Sequence, residues 1–181
     1  MLNAALRLIV LGAAVVISFS PRAFSVSVPS YVPPSFQQLI AGWLAHHSNY
    51  RIAIDADCGC PDDIQTLRAG SMPSWPPNPG YHPYYVAGDF VGDGIDDVAI
   101  GVMTLKDATK FRVLILHGKN LNGIRRPMFL SERLDIHQGL FFGAPRPKPW
   151  RLGVGPFESE GVLFEPTAKG YRLSDSDEDA D

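Results

Sequence analysis

Between Ser35 and His47 the apolar residues Phe36, Leu39, Ile40, Trp43 and Leu44 fall three or four apart, one face of an amphipathic helix that Ser35 can cap. His46 and His47 close that helix, where the partial negative charge of a C-terminal end favours them over a metal role. From Arg51 to Asp57 the period changes to two, which predicts a strand. Ile64 and Leu67 suggest a short helix from Asp62 to Ala69, started by Asp62 or Asp63. After Gly70 the helical period is gone. Residues Gly70 to Pro83 carry Pro73, Pro76, Pro77, Pro79 and Pro83, which forbid regular structure and predict a stiff, extended connection. Trp75 and Tyr81 on it could meet a sugar or peptide, though folding back over a sheet edge is the plainer use.

From Tyr84 onward, short apolar runs alternate with turn residues. Tyr84 to Phe90 and Val98 to Met103 come first, followed by Phe111–His117, Pro127–Leu130, Leu140–Gly143, Arg151–Phe157, Gly161–Pro166 and Tyr171–Leu173. Gly118-Lys119-Asn120, Asn122-Gly123 and Glu158-Ser159-Glu160-Gly161 punctuate them, so a mainly antiparallel sheet is expected. Pro145 to Trp150 is a second proline-stiffened connection. The pattern predicts an α+β fold, with N-terminal helices packed on one mainly antiparallel sheet that carries a single Asp-rich hairpin loop.

Composition narrows this to one domain. In a chain of 181 residues, Gly 17 and Pro 16 point to many turns, and 45% hydrophobic content suffices for a core. The formal charge of -3 is concentrated in an acidic stretch, residues 175–181, which reads as a solvated tail. No basic footprint of a nucleic-acid binder is present. Arg7, the apolar run Leu8–Phe19 and the small residues Ser18, Ser20, Ala23 and Ser25 read as a signal peptide over residues 1–25. The run is shorter than the roughly 20 residues of a membrane span, so no stable span is expected after cleavage. The globular domain is then 26–174, and the protein is expected to be secreted or periplasmic.

Two stretches carry candidate chemistry. Cys58 and Cys60 are the only cysteines. In an oxidising compartment a local disulfide is the first reading, ahead of free paired thiols and of thiol–disulfide exchange; four-ligand zinc has no matching histidine spacing. The other stretch is Asp89-Phe90-Val91-Gly92-Asp93-Gly94-Ile95-Asp96-Asp97-Val98-Ala99, a glycine-kinked turn between two β-prone runs, with Asp89, Asp93 and Asp97 every fourth residue. Such a loop either gathers carboxylates round a hard cation, which takes about six to eight oxygens, or is a tight hairpin whose aspartates bond nearby amides. Position twelve of the loop is Ile100, where an EF-hand needs a bidentate Glu, so an EF-hand is excluded. Asp55, Asp57 and Asp63 repeat part of the spacing, and strand-end and helix-cap duties explain them as well.

The loop resembles the calcium loops of FG-GAP and VCBS-type repeats, as in integrin α-subunit propellers, D-x-[DN]-G-D-G-x-x-D-[LIVF]-A. The resemblance implies Ca²⁺ held by the side chains of Asp89, Asp93 and Asp97 and by the carbonyl of Ile95. Val91 departs from it, having no oxygen where the family has Asn or Asp. The likeness covers one copy of the loop and supports no whole propeller. Together these features lead us to expect an exported, non-catalytic binding or interaction module stabilised by Ca²⁺, with a protein or glycan partner. The alternative is an exported enzyme, either a thiol oxidoreductase using Cys58 and Cys60 or a metal-assisted hydrolase. No Gly-x-Ser-x-Gly, His-Glu-x-x-His or phosphate-binding glycine loop supports the enzyme, and no spacing unites the candidate bases His82, His117 and His137.

Overall fold

A computed structural model of the protein describes residues 27–71, 76–119, 123, 125–142, 152–157 and 161–175. The signal peptide, Trp75, the Pro145–Trp150 connection, the Glu158-Ser159-Glu160 turn and residues 176–181 of the acidic stretch lie outside these. Asp175 itself ends the last strand.

Three helices come first: α1 (Pro34–His46), α2 (Asp55–Cys58) and α3 (Pro61–Ala69), with the short strand β1 (Tyr50–Ile52) between α1 and α2. The strands β2 (Tyr85–Gly88), β3 (Asp97–Thr104), β4 (Asp107–Leu116), β5 (Phe129–Leu130), β6 (Leu134–Asp135), β7 (Gly139–Phe142), β8 (Leu152–Gly155), β9 (Val162–Thr167) and β10 (Gly170–Asp175) follow. The expected α+β class with one sheet is corrected: the described residues are 40% strand and 20% helical, in two antiparallel sheets with only three helices. Sequence runs that each resembled one more strand of a single sheet close into two, because β7 to β10 pair among themselves and not with β4. The strand expected over Arg51–Asp57 is also corrected. It stops at Ile52, and Asp57 turns the chain into α2 by accepting the Ile54 amide at 2.8 Å.

The first sheet is built round the β3–β4 hairpin. On the outer edge of β3, β1 pairs with Val102–Thr104 and β2 with Asp97–Ile100, end to end. On that of β4, β5 pairs at Leu114 and Ile115, and β6 at Lys110 and Phe111. Buried Ser131 joins those two short strands, accepting the Val113 amide at 2.8 Å through its hydroxyl. Nearly all of β3 is buried, so its alternation serves two cores. Val98, Ile100, Val102, Leu114 and Leu116 face Phe36, Ile40, Trp43 and Leu44 of α1. Ala99, Met103, Phe111, Val113 and Ile115 face the second sheet (Leu140, Leu152, Val154, Phe164, Tyr171) together with Cys58, Ile64 and Leu67. At the crowded centre, a Cβ on Gly101 would stand 2.8 Å from the Cβ of Tyr84. Glycine there lets Tyr84 pack on Phe111 and donate its hydroxyl to the Ile136 carbonyl. Among the described residues no helix is long and apolar enough to cross a membrane.

Candidate functional site

The Asp loop joins β2 to β3, and its three repeated aspartates take different partners. Asp89 turns its carboxylate inward on the loop and accepts the amides of Gly92 (2.7 Å), Asp93 (3.0 Å) and Gly94 (2.7 Å). Gly92 and Gly94, at φ 77° and 81°, supply the left-handed backbone this curl requires. Desolvation opposes the Asp89 charge, but the amides of Gly94, Asp93, Gly92 and Val91 outweigh it and hold the carboxyl below its usual range. Asp93 accepts the Ile95 amide, at 3.1 Å, and is exposed. Asp97 begins β3 with 2% of its surface exposed. Its Oδ1 accepts the Gly118 amide at 3.0 Å and lies 3.1 Å from His117 Nδ1. That last contact has ion-pair distance without hydrogen-bond alignment, for Nδ1 counts as unbonded, as does Oδ2 of Asp97.

This arrangement does not fit the calcium centre that the resemblance implies. Asp89 and Asp93 are engaged with the loop's own amides, Asp97 faces the end of β4, and Val91 has no oxygen to offer. Among the described residues no group of three or more His, Cys, Asp or Glu side chains is placed to hold a metal ion. The loop's apolar members instead anchor it: Phe90 is fully buried against Phe142, and Val91 packs on the main core.

What the loop does build is one wall of a cavity of about 310 Å³, within the size range of small-ligand sites. Val91 lines it from the loop, His117 from the end of β4, Arg126, Pro127, Met128 and Phe129 from the approach to β5, and Pro166 to Tyr171 from the β9–β10 turn. His117, 6% exposed, sits between Asp97 and Tyr171. Its ring lies parallel to that of Tyr171 at 5.8 Å, and Nε2 is 3.5 Å from the phenol oxygen. Burial, then the Asp97 charge, push the Tyr171 phenol well above its ordinary pKa, with Arg126 pulling the other way. The phenol therefore stays a neutral donor at any physiological pH. Arg125 fixes the strand end by donating to the His117 carbonyl at 2.7 Å. Apolar walls, a polar floor and the exposed cations Arg126 and Lys169 make a site suited to an apolar body bearing a hydrogen-bonding or anionic group.

His117 entered the sequence reading only as an unplaced base, and Tyr171 only as a strand residue. The signal that could have joined His117 to Asp97 is the hairpin register, and it is masked. Carried unbroken from the pair Thr104↔Asp107, it would set Asp97 opposite Leu114; the irregularity between Val102 and Thr104 brings Val98 to Leu116, and Asp97 beside His117.

The second candidate stretch is joined: Cys58 and Cys60 form a disulfide with Cα atoms 5.2 Å apart. Asp55 and Asp57 beside it are paired, and Asp63 lies in the first turn of α3. Asp57 takes both guanidinium nitrogens of Arg51 at 2.7 Å, and that hydrogen bonding holds its carboxyl below the usual range. Asp55 pairs with Arg68 at 2.6 Å and with His82 Nδ1 at 3.0 Å, His82 being stacked on Tyr31 at 3.8 Å. A decayed second acidic loop is therefore not what these residues form. Compared with protein-family models, curated proteins and solved structures, the chain matches none. Its likeness to the FG-GAP loop rests on residues 89–99 alone.

Proposed function

We propose that the protein is an exported binding module, and that the cavity between the Asp loop and the β9–β10 turn takes a ligand group without chemistry of its own. One observation carries this reading. Buried His117, backed by buried Asp97 and flanked by Tyr171, lines a cavity whose walls are otherwise largely apolar. A buried acid and base cost desolvation that a pair of apolar residues would not, so an acid set behind a histidine that lines a cavity favours recognition over stability as their purpose. Met128, 52% exposed at the rim, is an apolar surface a partner would cover. The leader-like N-terminal pattern and a disulfide support the exported setting. A peptide side chain with an apolar body and an acceptor end meets all of these features.

Protein-observed NMR titration with small aromatic and aliphatic carboxylates and amides tests it. Saturable binding that perturbs Tyr171 and Met128 resonances, and that is lost in His117→Ala, is the expected outcome. Binding unchanged in His117→Ala, or none across the set, overturns the assignment of this cavity.

A further inference from the structure

We propose that Cys58–Cys60 is a redox-active disulfide that exchanges with polypeptide dithiols, with Cys60 as the sulfur attacked and His137 as the base. The pair is poorly suited to be a staple. It closes a ring across one residue, Gly59, whereas the stabilisation expected from a cross-link grows with the loop it closes. The two half-cystines are also unlike each other. Cys58 is 0% exposed and belongs to the core cluster, while Cys60 is partly exposed at the start of α3, its carbonyl accepting the Ile64 amide at 3.2 Å. An incoming thiolate thus meets Cys60 first, and the sulfur it displaces is the sheltered one.

A distant part of the chain delivers an imidazole to this ring. His137, two residues past β6, holds Nδ1 2.9 Å from the Cys58 carbonyl oxygen. A carbonyl only accepts, so Nδ1 carries the proton and Nε2 is the basic nitrogen. Its Cε1 lies 3.9 Å from the point where a Cβ on Gly59 would stand, so the ring borders the link between the two cysteines. Gly59, at φ 65°, gives the left-handed turn that the ring needs. Asp62 and Asp63 in the first turn of α3 oppose thiolate at that helix end, so a base has to move the proton.

The exchange balances. One substrate thiol gives its proton to His137 Nε2 and its sulfur bonds to Cys60 Sγ, breaking the Cys58–Cys60 bond; Cys58 leaves as thiolate and takes the proton from His137. The second substrate thiol then attacks the substrate sulfur of the mixed disulfide, and Cys60 leaves and is protonated in the same way. Two electrons pass from the substrate dithiol, now a disulfide, to the protein. A low-molecular-weight disulfide of the glutathione class restores the oxidised form by the reverse steps.

Two measurements test this on the full chain. In the first, the wild-type protein is equilibrated in glutathione buffers of varied reduced-to-oxidised ratio and its free thiols are counted by alkylation and mass spectrometry. A reduced peptide carrying two cysteines is presented to the oxidised protein in parallel. Partial reduction within the glutathione range and one-for-one oxidation of the peptide are expected. A disulfide that stays closed in every buffer, or peptide oxidation no faster than with oxidised glutathione alone, overturns the proposal without any variant having to fold. In the second, C58S is expected to trap a mixed disulfide with the oxidised peptide at Cys60, and C60S to trap it at least about tenfold more slowly. Equal trapping overturns the choice of sulfur. H137Q, whose amide can keep the bond to Cys58, is expected to slow exchange about tenfold with the equilibrium ratio unchanged; an unchanged rate removes the base.

Discussion

Asp97 is the residue with most at stake. Replacing it with Ala strips the part-buried Gly118 amide of its acceptor and leaves buried His117 without its neighbouring carboxylate. Urea unfolding of Asp97→Ala is expected to show a loss of about 1–3 kcal/mol, the cost of orphaned buried polar groups. Asp89 and Asp57 make a different kind of contribution, because amides and Arg51 respectively hold their carboxyls below the usual range. A depressed folded pKa adds stability that is complete above the unfolded value near about 4, and is lost as pH falls through the folded one. The urea midpoint should therefore fall as pH is lowered from about 5, and less steeply in Asp57→Asn and Asp89→Asn. Calcium calorimetry on chelator-treated protein should give no heat, because Asp97 is directed to His117 and Gly118 and Val91 offers no oxygen. Heat that disappears in Asp93→Ala would reinstate the ion.

Among the elements, the end of β4 depends on Gly118. A Cβ there would come 2.4 Å from Ile95 Cγ2 and 2.6 Å from the Asp96 carbonyl oxygen. The second of these is backbone and cannot swing aside. Gly118→Ala should cost about 1–3 kcal/mol by overpacking, and it should also pull Asp97 off its amide, visible as a shifted His117 ring resonance. Most elements were legible from spacing. The stripe Phe36, Leu39, Ile40, Trp43, Leu44 marked α1, though the helix starts at Pro34 after Pro33, so Ser35 lies inside it and does not cap it; every apolar run after Tyr84 that lies in the described residues overlaps a strand. Two features hid the rest. The two-residue strand β6 is too short to show a period, and alternation at Arg51–Asp57 gave no warning that Asp57 could reach back to the Ile54 amide and start a helix. The candidate site was half visible: the Asp loop is written in consecutive residues, whereas its union with His117 and Tyr171 depends on a bulge and on a second sheet.

At the level of the whole molecule, the β3–β4 hairpin separates two cores, α1 on one side and the second sheet on the other. Local spacing could not tell one large sheet from two smaller ones, since each antiparallel run resembles the next and only the pairing of β7 to β10 with one another divides them. Phe111 sits at the junction, fully buried and edge-on to Tyr84. Phe111→Ala should remove about 3–5 kcal/mol, read by thermal or chemical unfolding as a single transition if both cores melt together.

The end-to-end seating of β1 with β2, and of β5 with β6, has an implication for how this protein meets copies of itself. Each side of the central ribbon is already occupied along most of its length, so a neighbouring chain meets only short strands there instead of one long edge. The other sheet has two outermost strands among the described residues, β7 bordered by β8 and β10 bordered by β9. Strand addition at β10 would take place beside the cavity mouth, and a ligand seated there would oppose it.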